Sequence, residues 1–324
     1  MLGHVVRRLV LAVSMVWAIS FGAFCAFGLS FDPTFSLALS TKESDREYRR
    51  QLIAQFHLHD PILDRYWLWL KSLPTNGFGH TVLWFGRSGA GRTTDTTIGP
   101  QLWPAVWTTA QLVAVALVLV VVLSVLVGTV SAQWPGSPLD VVLRAGAYVS
   151  WSVPTFVVGV LVWRWLGPKG WFELGTPGGG FVEWIRRMTL PAVTLSLGLV
   201  GVYSRYVRSA LIVSLRQPYA TVARGKGLPE SRVLVRHALR NSLIPFVSAV
   251  SLDFAAIVGA SLATDYVFDM GGLASLFLNA LGGADPFELT AILVVLGAIV
   301  AVFMLVADLV LGWLDPRARI VAAP

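Results

Sequence analysis

The sequence predicts an all-α integral membrane protein with six transmembrane helices and a sizeable extracytoplasmic insertion after the first helix. Three observations carry that reading. Of 324 residues, 55% are hydrophobic and only 13% charged, whereas a soluble domain carries roughly 25% charged residues. The mean hydropathy is +0.69. Six segments (9–29, 105–132, 141–166, 190–213, 243–267 and 289–314) each approach the roughly 20 mostly apolar residues that cross a hydrocarbon core.

The first segment follows Arg7 and Arg8. Its apolar run exceeds the roughly 7–15 residues of a signal-peptide core, and no convincing small-x-small cleavage site precedes Asp32, so it reads as a retained span. Cys25, the only cysteine, sits inside it and reads as a small apolar filler. The chain then divides into a tail and first span (1–29), the insertion (30–104), a five-helix core (105–319) that includes a polar loop (214–242), and a short tail (320–324).

Within the insertion, Tyr48, Leu52, Ile53 and Phe56 share one helical face over residues 47–56. The run His57-Leu58-His59-Asp60-Pro61 breaks that helix, and a second follows over 62–73 with Tyr66, Trp67 and Trp69. Two readings stand for this hairpin: an element resting on the outer leaflet, as Trp and Tyr favour, or a docking or gating element that meets a substrate-delivering protein. His57 and His59 are two apart and do not share a helix face, so they are not read as metal ligands.

Arg7, Arg8, Arg144, Arg317 and Arg319 flank span ends on one side, as does the Arg-rich loop between the fourth and fifth spans. Lys and Arg favour cytoplasmic loops, so an even number of spans puts both termini in the cytoplasm. The net charge of +7 therefore reports topology and gives no reason to invoke nucleic acid.

The polar loop is the most informative segment. Residues 219–245 read YATVARGKGLPESRVLVRHALRNSLIP, with five cations (Arg224, Lys226, Arg232, Arg236, Arg240) and one acid, Glu230. A connection between spans needs far less. The pattern resembles the cytoplasmic loop of binding-protein-dependent ABC importer permeases, specifically the oligopeptide/dipeptide subgroup. Thr221, Ala223, Arg224, Lys226, Gly227 and Leu228 match its first half, and Arg232, Val233, Leu234, Arg236, His237, Ala238, Leu239, Arg240, Asn241, Leu243, Ile244 and Pro245 its second. Gly225, where the subgroup has Ala, and Pro229 depart from it. Similarity continues through Tyr148–Gly159 with its Thr/Ser-Pro-x-Phe feature around Pro154, through Asp265–Phe268, and into Asp308 and the closing LDPRAR.

The resemblance implies a type I ABC importer permease fold. It also implies partners: a second homologous permease, two ATP-binding subunits that hold ATP and Mg, an extracytoplasmic substrate-binding protein, and a peptide substrate. Residues 221–227 would form a coupling helix fitting a groove on an ATPase, ended by Gly227, with Ala223 small enough for close docking. Arg224, Lys226, Arg236 and Arg240 would pair with acids on the ATPase or with anionic membrane lipid.

Three residues are candidates for the pathway or its gate. Pro154 kinks the third span, either as a hinge or as passive packing. Asp253, near mid-bilayer in the fifth span, is either a cavity-facing carboxylate that meets a cationic group or a buried acid, protonated or paired with a neighbouring helix. Asp308, in the sixth span, fixes packing or the cytoplasmic gate.

No G-x-x-x-x-G-K-[ST] loop, G-x-S-x-G elbow, H-E-x-x-H pair or paired-cysteine framework occurs. The chain is therefore read as a translocation subunit of an inner-membrane transporter, with no catalytic residue, cofactor or metal of its own. Relatives in the same subgroup that move nickel complexes or glutathione are one alternative. A secondary transporter is another, but it would not need this loop and should show internal repeats or a lined ionisable path.

Overall fold

The computed structural model describes residues 2–39, 41–73, 78–81, 84–85, 92–93 and 96–314. Arg317 and Arg319, with the rest of the closing LDPRAR motif beyond Leu314, lie outside the described residues. The order begins with α1 (Leu2–Ser30), a single turn α2 (Phe35–Ala38) and a hairpin of α3 (Glu43–Gln55) and α4 (Ile62–Ser72). Four two-residue strands follow, pairing first with fourth and second with third, both antiparallel. Next come α5 (Gly99–Gln133), α6 (Pro138–Ser152), α7 (Thr155–Leu166) and α8 (Phe181–Leu215). The polar loop holds α9 (Pro218–Gly225), α10 (Glu230–Arg232) and a π-helical stretch (Val233–Leu239). The chain then runs through α11 (Arg240–Val267), α12 (Leu273–Gly282) and α13 (Pro286–Leu314).

Among the described residues, five helices are long and apolar enough to cross a membrane: Val6–Ser30, Gly99–Gln133, Phe181–Leu215, Glu230–Val267 and Pro286–Leu311. The third predicted span, 141–166, is instead two helices bent by 100°, and the count reaches six if that pair is one span. The local chemistry explains the break. Pro154 cannot donate to the helical ladder, and its ring pushes Val153 into an extended conformation (φ −99°, ψ 125°). One turn earlier the Ser150 and Ser152 hydroxyls donate to the carbonyls of Ala147 and Tyr148 (3.1 and 2.8 Å), loosening the end of α6. Pro191 and Pro245 stay inside continuous helices, although Thr189 and Ser242 donate to the Ile185 and Leu239 carbonyls before them, so neither proline nor a neighbouring hydroxyl alone decides the outcome.

The chain forms two compact units. The first, Met1–Thr108 with Gly271–Ala301, has an aromatic core. Phe24 is 1% exposed and packs against Tyr66, Trp69 and Phe287 with ring centroids 5.4, 5.7 and 5.9 Å away. The Tyr66 and Ser20 hydroxyls are 2.8 Å apart, which gives the buried phenol a partner. The predicted hairpin forms here. Leu52, Tyr66 and Trp69 turn inward while Trp67 stays exposed under Lys71, 5.2 Å from its ring centre. The hinge between the two helices contains His57 at φ +52°.

In the second unit, Thr109–Met270 with Val302–Pro324, α8 is the central element and packs against α5, α6, α7 and α11. Glycine permits the closest approaches. A Cβ on Gly128 of α5 would lie 2.7 Å from the Ser204 carbonyl oxygen, and one on Gly201 of α8 would lie 2.5 Å from that of Ala147 in α6. Lipid tails are as apolar as leucine, so span association depends on such close packing more than on removing surface from water. Toward α11, Tyr203 and Val207 meet Phe246, Val250 and Ile257 in a shared buried cluster.

Candidate functional site

The polar loop leaves α8 at Leu215 and forms a compact motif. Pro218 starts α9 at a first-turn position where its missing N–H is no loss, so the helix begins three residues before the predicted 221. It ends at Gly225, with Lys226 as cap and Gly227 at φ +76°. The exit is a Schellman turn: Leu228 N–H donates to Ala223 O (3.3 Å) and Gly227 N–H to Arg224 O (2.9 Å). Leu228 then packs on Ala220, Ala223 and Val233, the apolar contact that accompanies this cap. Ala223 is thus buried in the loop's own small core, 6% exposed. Thr221 lies on the outer face.

Polar contacts brace the motif against α8. Arg224 donates to both Glu230 carboxylate oxygens (2.9 and 2.6 Å) and to the Leu215 carbonyl (3.1 Å). It therefore finds an acid inside the loop, and the Glu230 hydrogen bond raises its pKa above the ordinary arginine value. Ser214 meets the Tyr219 hydroxyl and donates to the Ala238 carbonyl at 3.0 Å. Residues 233–239, within the second half of the pattern, form the π-helical stretch, a geometry that often marks functional sites. Its inner face buries Val233, Leu234 and Ala238, while Arg236 is exposed and His237 half-buried. Arg240 and Asn241, both exposed, open α11.

Arg224 apart, Lys226, Arg232, Arg236 and Arg240 are exposed, and among the described residues none of the four forms an ion pair. The loop thus presents four uncompensated cations on a braced frame.

A second feature lies two turns back along α8. The Arg208 guanidinium holds Asp140 of α6 through two 2.8 Å bonds, Nε to Oδ1 and a terminal nitrogen to Oδ2. Asp140 is 1% exposed. Its carboxylate also accepts from Gly136 N–H at 2.9 Å and from the Ser131 hydroxyl of α5, and Arg144 lies 3.5 Å away. Ser137 caps α6 by accepting the Asp140 N–H. One carboxylate therefore ties α5, α6 and α8 together. Sequence reasoning missed it, although Ser137-Pro-Leu-Asp140 has the spacing of a capping box.

The pathway candidates are separate from this cluster. Pro154 stands at the break and opens α7. Asp253 lies midway along α11, about 20 Å from either end at 1.5 Å per residue. It is exposed on the chain, and its Oδ2 accepts from the Tyr203 hydroxyl of α8 at 3.1 Å. Tyr203 is itself buried, 1% exposed. Asp308 is half-buried, six residues before the end of α13.

These features define a multi-span membrane protein with a braced, cationic polar loop between two long helices. Residues 124–320 match the family described as binding-protein-dependent transport system inner membrane component, and the chain belongs to that family. It is 27% identical over 323 residues to an oligopeptide transport system permease of Bacillus subtilis, covering 98% of this chain and 99% of that one. It is 30% identical to a dipeptide transport system permease of Lactococcus lactis, covering 82% and 83%. An oligopeptide transport system permease of Haemophilus influenzae is 27% identical, covering 85% and 88%.

Proposed function

We propose that this chain is one of two membrane-spanning subunits of an ATP-driven peptide importer and forms half of its translocation pathway. The observation that carries this reading is the loop: four unpaired cations on a helix–turn–helix unit that is hydrogen-bonded to the end of α8. Such a surface seeks an acidic protein partner. In the proposed assembly, two cytoplasmic subunits bind and hydrolyse ATP with Mg, a second homologous permease completes the pathway, and an extracytoplasmic binding protein delivers peptide. Both termini lie in the cytoplasm, the side that receives the Arg-rich loop. The substrate class rests on the oligopeptide and dipeptide permeases among the relatives.

The bracing supplies the mechanism. Closure of the ATPase pair pushes α9; the Arg224–Leu215 and Ser214–Ala238 contacts pass that push to the ends of α8 and α11. The two spans then tilt together, and alternating access follows from rigid-body motion of packed helices. Asp253 fits the pathway side. A carboxylate at mid-span cannot face lipid without a large cost, and its exposure leaves the pathway or the second permease to cover it.

Affinity purification of the tagged chain tests the assembly. Recovery with two ATP-binding subunits and a second permease is expected, and recovery alone or as a homo-oligomer overturns the reading. The double change Arg236→Glu with Arg240→Glu should reduce ATPase recovery by at least tenfold while leaving membrane insertion intact. Unchanged recovery would remove the loop from the interface.

A further inference from the structure

The first unit contains a cavity of about 330 Å³ bounded by α3, α4 and the start of α13. That volume lies in the range of small-ligand pockets, about 300–1,000 Å³. Phe56, Leu68, Trp69 and Phe287 supply apolar walls, and Arg65 contributes a charge. Among the described residues, none that lines the cavity is acidic.

Arg65 is the anomaly. It is 8% exposed, and a buried guanidinium is costly unless it is paired. Among the described residues it makes no side-chain hydrogen bond or ion pair, and its Nε is buried without a partner. The acids that act on it electrostatically, Asp32 and Asp60, are engaged elsewhere. Asp32 takes Thr34 and Arg49 (2.7 and 3.4 Å), and Asp60 takes His57 (2.9 Å). Burial lowers the pKa of Arg65, and these two acids only partly offset it. One turn along α4, Trp69 has its indole N–H buried and likewise unpartnered. Arginine and the indole nitrogen are donors only, so what satisfies them must bring acceptors.

We propose that this cavity binds a small organic anion, with Arg65 and Trp69 taking its carboxylate or phosphate and the aromatic walls taking its apolar body. A soluble carboxylate and an anionic lipid headgroup share that chemistry. The inference does not depend on peptide transport, so the two stand or fall separately.

Calorimetric titration tests it, using the full chain with its accompanying subunits in phosphatidylcholine nanodiscs. The probes are N-acetyl-phenylalanine and its neutral amide. The acid should bind at least tenfold more tightly than the amide, and Arg65→Gln should weaken the acid by at least tenfold. Leu68→Trp, which fills the cavity and keeps the charge, should weaken it as well, so the test survives if Arg65→Gln fails to fold. Adding phosphatidylglycerol separates the sources: competition that requires Arg65 identifies a lipid headgroup, and no competition identifies a soluble ligand. Equal affinity for acid and amide, indifference to both substitutions, or no binding by the folded wild-type protein would overturn the proposal.

Discussion

Gly225 and Gly227 stand two residues apart in the polar loop and respond to opposite demands. Gly227 holds φ +76° in open space, so an added Cβ meets no neighbour but forces an L-residue into the left-handed region, at roughly 1–2 kcal/mol. Gly225 is helical, with nothing within 4 Å of an added Cβ. There alanine should stabilise by about 0.4–1 kcal/mol by narrowing the unfolded ensemble. We expect Gly227→Ala to lower both the thermal midpoint and peptide uptake, and Gly225→Ala to raise the midpoint and keep uptake. Reversed signs would mean the Schellman turn is not what sets the loop. The left-handed exit was legible because glycine sits where the pattern ends the helix. The setting of Ala223 was not, since a small residue suits an outer docking face and an inner core equally. Only the fold of Val233 and Leu228 back onto it decides.

Elements were legible where apolarity ran long, and obscure where one residue acts on several helices. The five continuous spans follow from composition, and the hairpin of α3 and α4 from its four-residue apolar face and its Pro61 break. The 100° bend between α6 and α7 was not legible from Pro154, because Pro191 and Pro245 stay inside continuous helices; only the extended backbone of Val153 marks the break. The Asp140–Arg208 pair was hidden for a different reason: its partners are 68 residues apart, on different helices. Its geometry gives a sharp expectation. Removing Asp140 leaves Arg208 without its acid, and removing Arg208 leaves the buried Asp140 with only the more distant Arg144 as a counter-charge; breaking such a pair costs about 3–5 kcal/mol. A double-mutant cycle of Asp140→Ala and Arg208→Ala, read from unfolding midpoints, should therefore find the double variant less damaged than the sum of the singles. Strict additivity would show that the pair does not hold α5, α6 and α8 together.

For the whole molecule the decisive residue is Asp253, because its environment depends on what surrounds the chain. Within the chain it is exposed and held only by Tyr203 among the described residues. Of the two sequence readings, the pairing with a neighbouring helix is present without the burial, and the cavity-facing carboxylate depends on what surrounds the chain. An acid at mid-span is costly against lipid, so in the proposed assembly it should meet water or polar groups of the second permease. The chain's single cysteine makes this measurable. In a Cys25→Ser background, Asp253→Cys provides one thiol midway along α11. A thiol on a wetted pathway reacts with a membrane-impermeant maleimide as thiolate, and one facing lipid does not. We expect labelling of the assembled complex, with a rate that changes when ATP drives the ATPase pair closed, since alternating access opens and seals the same path. Labelling that ignores nucleotide would place Asp253 on a static wet surface. No labelling in any state would remove it from the pathway and leave its Tyr203 bond as a purely structural contact between α8 and α11.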